Sequence, residues 1–217
     1  MNQISRIHAI SIDNNNLSHF DQALCALDSG LNWIQFRTKK MDFSDRVREA
    51  KKIKTICDRY NAILIINDSP EVVLESGANG VHLGQKDTHP QIARGLLGPD
   101  KIIGMTIHNK SEAQIGVDFY SEKWVDYAGV GPFRQTSTKT DLSALLSHQD
   151  LMDISNCLNP IKMPYVVIGG VTPLDIEKIQ SYGAFGVAVA GGLFAQNNIQ
   201  KAVQDYKHFL SLAYKNE

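Results

Sequence analysis

Short apolar runs rich in β-branched residues recur along this chain of 217 residues. Between them lie segments with helical periodicity. Residues 43–60 are an example, because Ala50, Ile53 and Ile56 fall on one face while Glu49 and Lys52 fall on the other. The apolar runs predict eight strands, over residues 7–12, 33–37, 63–67, 80–83, 101–106, 125–131, 165–168 and 186–190.

The strict alternation of strand and helix indicates an α/β fold with a parallel sheet. Eight such units average about 27 residues each, which is typical of a compact (β/α)8 TIM barrel. We therefore predict one barrel domain over residues 1–217. A doubly wound sheet is the alternative. In a barrel, all strand C-termini open on one face, so polar residues that follow the strands meet at a single mouth.

Composition narrows the class of partner. The chain has 22 basic and 23 acidic residues and a net charge of −1, which leaves no surplus of charge for nucleic acid or an anionic membrane. Cys25, Cys57 and Cys157 form no CxxC pair, so neither a disulfide framework nor a zinc site is indicated. These features predict a cytoplasmic protein that binds small molecules. The oligomeric state stays open, and a homo-oligomer is compatible with the sequence.

A basic segment follows the second predicted strand. Side chains alternate in an extended chain, so Gln35, Arg37 and Lys39 share one side. The planar fork of arginine and the point charge of lysine suit a diphosphate or triphosphate. The alternative is a solvated basic loop that continues into Lys40.

Two aspartates follow the third and fourth predicted strands. Asp68 comes directly after Asn67, and Asp87 ends the segment 80–87. Adjacent strand ends can bring two carboxylates together, and such oxygen donors, completed by water and phosphate, commonly hold Mg2+. Alternatively, Asp68 caps a helix that begins near Pro70.

Three further loops favour phosphate binding. Thr136, Thr138 and Lys139 lie in a hydroxyl-rich turn after the sixth strand. Gly169-Gly170 and Ala190-Gly191 follow strands seven and eight, where barrels recurrently bind a phosphate. The alternative is that these glycines only form tight turns. Among the histidines, the position of His82 within a strand favours a hydrogen-bonded structural role, and His108 is a minor candidate for acid or base catalysis.

Taken together in chain order, these segments resemble the motifs of the thiamine-phosphate synthase family over nearly the whole chain. The motifs that carry the resemblance are Q-x-R-x-K at 35–39, N-D at 67–68, G-V-H-L-G-Q-x-D at 80–87, D-Y-x-G-x-G-P followed by T-x-T-K at 126–139, and I-G-G-V at 168–171.

The resemblance implies an enzyme, a transferase that joins a hydroxymethylpyrimidine diphosphate to a thiazole monophosphate with Mg2+ as cofactor. It assigns the pyrimidine diphosphate to Gln35, Arg37, Lys39, Asn67 and Lys139, the Mg2+ to Asp68 and Asp87, and the thiazole phosphate to Thr136, Thr138 and Gly170, with Ala190 and Gly191 beside it. Thr106 replaces a serine near the reacting centre. Arg37, Lys39, Thr106 and Lys139 are then the candidate catalytic residues.

Two departures bear on this assignment. Ala190-Gly191 stands where the family commonly has a Val-Ser or Ile-Ser pair, and Ser69 replaces an arginine that often follows N-D. Two other hypotheses are a tautomerase like that of the sister family, which isomerises a thiazole, and a binder of thiamine precursors that does not turn over.

Overall fold

A computed structural model describes residues 4–13, 16–135 and 144–214. Within these ranges the chain forms a closed parallel barrel whose strands follow chain order from the first to the eighth. The strands are β1 (Ile7–Ile10), β2 (Trp33–Phe36), β3 (Ile63–Asn67), β4 (Gly80–Leu83), β5 (Ile102–Ile107), β6 (Tyr127–Val130), β7 (Tyr165–Ile168) and β8 (Gly186–Val189).

Helices separate the strands and cover the outside of the barrel. They are α1 (His19–Asp28), α2 (Phe43–Arg59), α3 (Pro70–Ser76), α4 (Pro90–Leu97), α5 (Lys110–Ser121), α6 (His148–Leu158), α7 (Ile176–Ser181), α8 (Gly191–Phe194) and α9 (Ile199–Ala213). The TIM barrel prediction is confirmed, and the doubly wound alternative is wrong because β1 pairs with β8 as well as with β2. No helix in the described part of the chain is long and apolar enough to span a bilayer.

The predicted strands extend beyond the observed ones at several ends. β1 stops at Ile10 and β6 covers only four residues, although residues 7–12 and 125–131 were predicted. The residues just outside still make single ladder bonds: Ser11 N–H donates to Gln35 O at 2.9 Å, and Gly131 N–H donates to Ile107 O at 3.1 Å. The apolar pattern therefore continues where regular pairing has already ended.

Side chains alternate between two cores. Ile34 and Phe36 face the helices and belong to the large core between barrel and helix layer. Trp33, Ile65 and Tyr127 instead pack inside the barrel. Burial of each such side chain stabilises the fold by about 1.5–3 kcal/mol.

His8 lies in this inner core without exposure to water. Its ring stacks on Trp33 with a centroid distance of 4.2 Å and meets Tyr127 edge-on at 5.2 Å. Within the described residues, neither ring nitrogen makes a hydrogen bond of normal geometry. Burial, reinforced by nearby His82, lowers the pKa of His8 from 6.5 to about 3, and a contact with the backbone of Ser5 offsets only part of this.

This burial predicts acid sensitivity. Below pH 6.5 the unfolded chain protonates His8, whereas the folded chain does so only near pH 3. The contribution of His8 to stability is therefore intact above pH 6.5 and is lost as the pH falls. Between pH 7.5 and 5 we expect the free energy of unfolding to drop by about 2 kcal/mol more in the wild type than in His8→Phe.

Denaturant unfolding at several pH values measures this difference. Phe is larger than His, and overpacking lowers the free energy of unfolding of His8→Phe by the same amount at every pH. The slope of that free energy against pH therefore still reports the titration of His8. His208→Phe is the control, since His208 is exposed. Parallel wild-type and His8→Phe curves would show that His8 is not buried in its neutral form.

Candidate active site

The predicted site residues lie at the C-terminal ends of several strands. Gln35 is buried in β2, Asn67 ends β3, and Thr106 is the penultimate residue of β5. Ala190 and Gly191 follow β8 directly. Because the barrel is closed and parallel, all these positions surround one mouth.

A chain of hydrogen bonds crosses the interior just below this mouth. The Tyr127 hydroxyl contacts the Gln35 side chain and lies 3.0 Å from His82 Nδ1. His82 Nε2 in turn lies 3.0 Å from Thr106 Oγ1. Burial raises the pKa of Tyr127, so its hydroxyl stays protonated. His82 thus has the hydrogen-bonded role that was predicted for it, and the network orients the Thr106 hydroxyl at the mouth.

The loop after β1 anchors the basic segment that follows β2. Asp13 Oδ1 accepts from Thr38 Oγ1 at 2.6 Å, and its Oδ2 accepts from the Lys39 N–H at 2.9 Å. Burial opposes the charge of Asp13, but hydrogen bonds from Thr38, the Lys39 backbone and His19 outweigh it and lower the pKa of Asp13. Asp13 was absent from the predicted set, although it stands at the end of the first predicted strand.

The loop after β1 also binds the backbone of Arg37. Its N–H donates to Ser11 Oγ at 3.2 Å, and its side chain is half-buried, whereas Lys39 and Lys40 are exposed. Among the residues that the structure describes, no salt bridge involves the Arg37 guanidinium. A half-buried cation at the mouth suits an anionic ligand better than a solvated loop does.

Asp68 has a left-handed backbone, with φ of 69°. Its N–H donates to His82 O at 2.9 Å, which joins the end of β3 to β4. The helix cap next to it is Ser69, whose Oγ accepts from Val72 N–H at 3.4 Å. The capping alternative for Asp68 is therefore wrong, and the departure at Ser69 has a structural role. Non-glycine residues with positive φ cluster at functional sites, although Asp tolerates this region better than most.

Asp87 lies exposed in the turn after β4. Its Oδ2 accepts from Gly84 N–H at 2.6 Å, and its own N–H donates to Gly84 O at 3.2 Å. Asp68 and Asp87 thus follow neighbouring strands of the barrel. No group of three or more His, Cys, Asp or Glu that could hold a metal occurs among residues 4–13, 16–135 and 144–214. A cation at these two carboxylates would need water and ligand oxygens to complete its shell, which is the usual arrangement for Mg2+.

Gly169 and Gly170 have φ of 99° and 59°. An added Cβ at Gly169 would lie 2.8 Å from Pro132 Cα, and one at Gly170 would lie 2.9 Å from Arg134 Cβ. These glycines therefore form a tight turn against the loop after β6, as the turn interpretation predicted. That role is compatible with phosphate binding, because a turn without side chains also exposes its backbone N–H groups.

The loop after β8 begins the short helix α8. Leu193 N–H and Phe194 N–H both donate to Ala190 O at 3.0 Å, so Ala190 is the N-cap and Gly191 the first helical residue. Gly191 is not among the glycines with positive φ. Its backbone can therefore accept a side chain without strain in φ.

Thr136, Thr138 and Lys139 lie outside the described residues. The segment that leads into them is attached to the loop after β7: Phe133 N–H donates to Ile168 O and Arg134 N–H to Gly169 O, each at 2.9 Å.

Comparison with known proteins shows the family of this chain. A family model described as thiamine monophosphate synthase matches residues 7–193. The chain belongs to the thiamine monophosphate synthase family. Among members of this family, a thiamine-phosphate synthase of Phocaeicola vulgatus is 39% identical over 80% of this chain and 83% of its own. One from Clostridium perfringens is 34% identical over 86% of each chain.

The solved structure of a thiamine phosphate pyrophosphorylase from Pyrococcus furiosus superposes with a TM-score of 0.82, covers 96% of each chain and is 23% identical, which supports the fold. Membership in the thiamine monophosphate synthase family, together with these relatives, makes this chain an enzyme with thiamine-phosphate synthase activity, a transferase.

Proposed function

We propose that the barrel mouth binds a hydroxymethylpyrimidine diphosphate beside a thiazole monophosphate and joins them into thiamine monophosphate. The C–O bond between the pyrimidine methylene and the diphosphate breaks, and its electron pair leaves with pyrophosphate. The lone pair of the thiazole nitrogen then forms the new C–N bond. The observation that carries the proposal is that Arg37 follows β2 while Asp68 and Asp87 follow the next two strands, all on the same face of a barrel of this family.

The β2 and β3 side of the mouth binds the diphosphate. Arg37 supplies a bidentate fork, Lys39 supplies a second positive charge, and Asn67 supplies an amide donor. Lys139 is assigned to the same group through the family motif. These donors stabilise the negative charge that develops on the leaving oxygen, which is worth several kcal/mol at a preorganised site.

Asp68 and Asp87 are the residues that would hold Mg2+. Their hard oxygen donors fit the ion, and the positive φ of Asp68 turns the chain at the end of β3. When bound, the ion neutralises the diphosphate and so assists its departure.

The hydrogen-bond network under the mouth faces the pyrimidine ring. Thr106 is hydrogen-bonded to His82, and Gln35 contacts the Tyr127 hydroxyl, so both offer polar groups to a flat heterocycle. An electron-rich aminopyrimidine stabilises a cation at its methylene carbon. The reaction therefore requires little general-base catalysis, and the network positions the ring instead.

The β7 and β8 side binds the thiazole phosphate. Gly170, Ala190 and Gly191 supply backbone groups, and Thr136 and Thr138 are assigned hydroxyl donors through the family motif. This is where barrels recurrently bind a phosphate.

Detection of the product tests the proposal. Both substrates and Mg2+ are incubated with the protein, and thiamine monophosphate is measured by fluorescence after its oxidation to a thiochrome. We expect turnover only with both substrates. Isomerisation of a thiazole without the pyrimidine would favour the tautomerase instead, and tight binding of both substrates without product would favour a non-catalytic binder.

Substitution of Gly170 tests the phosphate position. A Cβ there is strained by the positive φ and meets Arg134 and Gln135. We expect Gly170→Val to raise the apparent KM for thiazole phosphate by at least about tenfold and to change that for the pyrimidine diphosphate much less. Steady-state kinetics with each substrate varied separately measures both constants.

Gly191→Ser is the matched control in the partner loop. It should change the KM for thiazole phosphate by less than about threefold, or lower it, because a hydroxyl is added to a backbone that accepts one. Equal weakening of both substrates by Gly170→Val in folded protein would show that Gly170 only shapes a turn.

Partners and location are also proposals. We propose that the protein acts on small phosphorylated molecules, without nucleic acid or membrane as partners, and in the cytoplasm, where its three unpaired cysteines would stay reduced.

A further inference from the structure

An ion pair at the mouth joins the loop after β6 to the loop after β7. The Arg134 guanidinium is bidentate on Asp175: Nη1 donates to Oδ2 at 2.5 Å, and Nη2 donates to Oδ1. Asp175 is buried, whereas the side chain of Arg134 is half-exposed. Because the fork fixes orientation as well as distance, the pair determines how the two loops lie against each other.

The same carboxylate organises its own loop. Asp175 Oδ2 accepts from Thr172 N–H at 2.8 Å and from Thr172 Oγ1 at 2.7 Å. Thr172 is only two residues after Gly170. One buried carboxylate thus accepts hydrogen bonds from both loops, and loss of the arginine leaves part of its hydrogen-bonding capacity unsatisfied.

The backbones of the two loops are also hydrogen-bonded to each other. Phe133 N–H and Arg134 N–H lie beyond the end of β6 and donate to Ile168 O, in the last residue of β7, and to Gly169 O just after it. A side chain at Gly170 would come within 3.0 Å of Gln135 O. We therefore expect a shift of residues 133–135 to move the backbone of Gly170.

We propose that the Arg134–Asp175 pair is a positioning pair that sets the affinity for the thiazole phosphate. The pair acts through the backbone of Gly170 and its neighbours, whose N–H groups must lie about 2.9 Å from phosphate oxygens to bind them. The inference rests on the proposed function, because it takes the glycine loop as the thiazole phosphate site. The diphosphate site, on β2 and β3, is separated from the pair by the barrel mouth.

A double-mutant cycle tests the pair. Arg134→Met removes the fork, and Asp175→Asn keeps the shape and one acceptor for Thr172. We expect each variant to raise the KM for thiazole phosphate and its Kd by calorimetry by about tenfold, with kcat and the KM for the pyrimidine diphosphate within about twofold of wild type. The double variant should be no worse than the weaker-binding single variant, since both remove one interaction. Arg134→Lys should lie between wild type and Arg134→Met.

A second Arg–Asp pair, with a largely buried arginine and a partly exposed aspartate, provides the control. Arg94 Nη2 donates to Asp126 Oδ2 at 2.7 Å, and Asp126 also accepts from Ile103 N–H at the opposite end of the barrel. Arg94→Met should lower the Tm without changing either KM.

The pair would be only structural if Arg134→Met and Asp175→Asn lowered the Tm but left KM and Kd for thiazole phosphate unchanged. The same conclusion would follow if the two variants raised KM additively, or raised it equally for both substrates. The wild-type protein tests the proposed function separately from the pair. Wild-type protein that formed no thiamine monophosphate and bound no thiazole phosphate would contradict that function, whereas an active wild type with unaffected variants would contradict the pair alone.

Discussion

Asp68→Asn and Asp87→Asn should each lower kcat by at least about a hundredfold at saturating substrates. Each change removes one negative charge at the strand ends proposed to hold Mg2+, and the loss weakens charge neutralisation on the leaving diphosphate. Asparagine is the informative replacement because it tolerates the left-handed backbone of Asp68 and can still accept the Gly84 N–H at position 87.

Initial rates over a range of Mg2+ concentrations measure the effect. The two variants should also need more Mg2+ for half-maximal activity. Asp58→Asn is the control, because Asp58 is exposed near the end of α2 and, among the residues that the structure describes, forms an ion pair only with Lys54 on its own helix. Near-normal rates and an unchanged Mg2+ dependence in both site variants would show that Asp68 and Asp87 do not hold Mg2+.

Arg37→Lys should raise the KM for the pyrimidine diphosphate by about tenfold or more, although the charge is retained. A lysine makes one directed contact where the guanidinium makes two in a fixed plane. Arg37→Met removes the charge as well, so kcat should also fall, by about a hundredfold, because the developing charge on pyrophosphate loses a partner.

Lys40→Met is the matched control for Arg37, since it removes a neighbouring exposed cation from the same segment. It should leave both Michaelis constants within about twofold of wild type. If Lys40→Met and Arg37→Met had similar effects, the segment would act as a diffuse basic surface and not through one bidentate contact.

The fold could be predicted because barrel strands are buried on both faces and therefore read as continuous apolar runs. β3, β4 and β7 match their predicted bounds. β1 does not, because its apolar pattern continues through Ile12, whose backbone N–H and C=O already pair with the Gln22 side chain and not with a neighbouring strand. The assignment of residues 1–217 to one domain stays a prediction.

The sequence predicted those residues of the candidate site that lie in short motifs, but not the contacts between them. Gln35 lies near the end of β2, Arg37 directly follows β2 and Asp68 directly follows β3, so the strand order places them on the same side of the mouth. The contacts that hold them join residues far apart in sequence: Asp13 with Thr38, His82 with Tyr127, and Arg134 with Asp175. Nothing in one sequence specifies which distant polar side chains will pair. The capping alternative for Asp68 was wrong for a related reason: Asp and Ser are nearly equal caps, and only the structure shows that Ser69 accepts the capping bond.

Pyrophosphate release tests the central claim most directly. The protein is assayed with pyrimidine diphosphate, thiazole monophosphate and Mg2+, and then with each of the three omitted in turn. The account predicts one pyrophosphate per thiamine monophosphate formed, with a large loss of rate on every omission and in Asp68→Asn. Pyrophosphate release that did not depend on the thiazole or on Mg2+, or product formation without pyrophosphate, would contradict it.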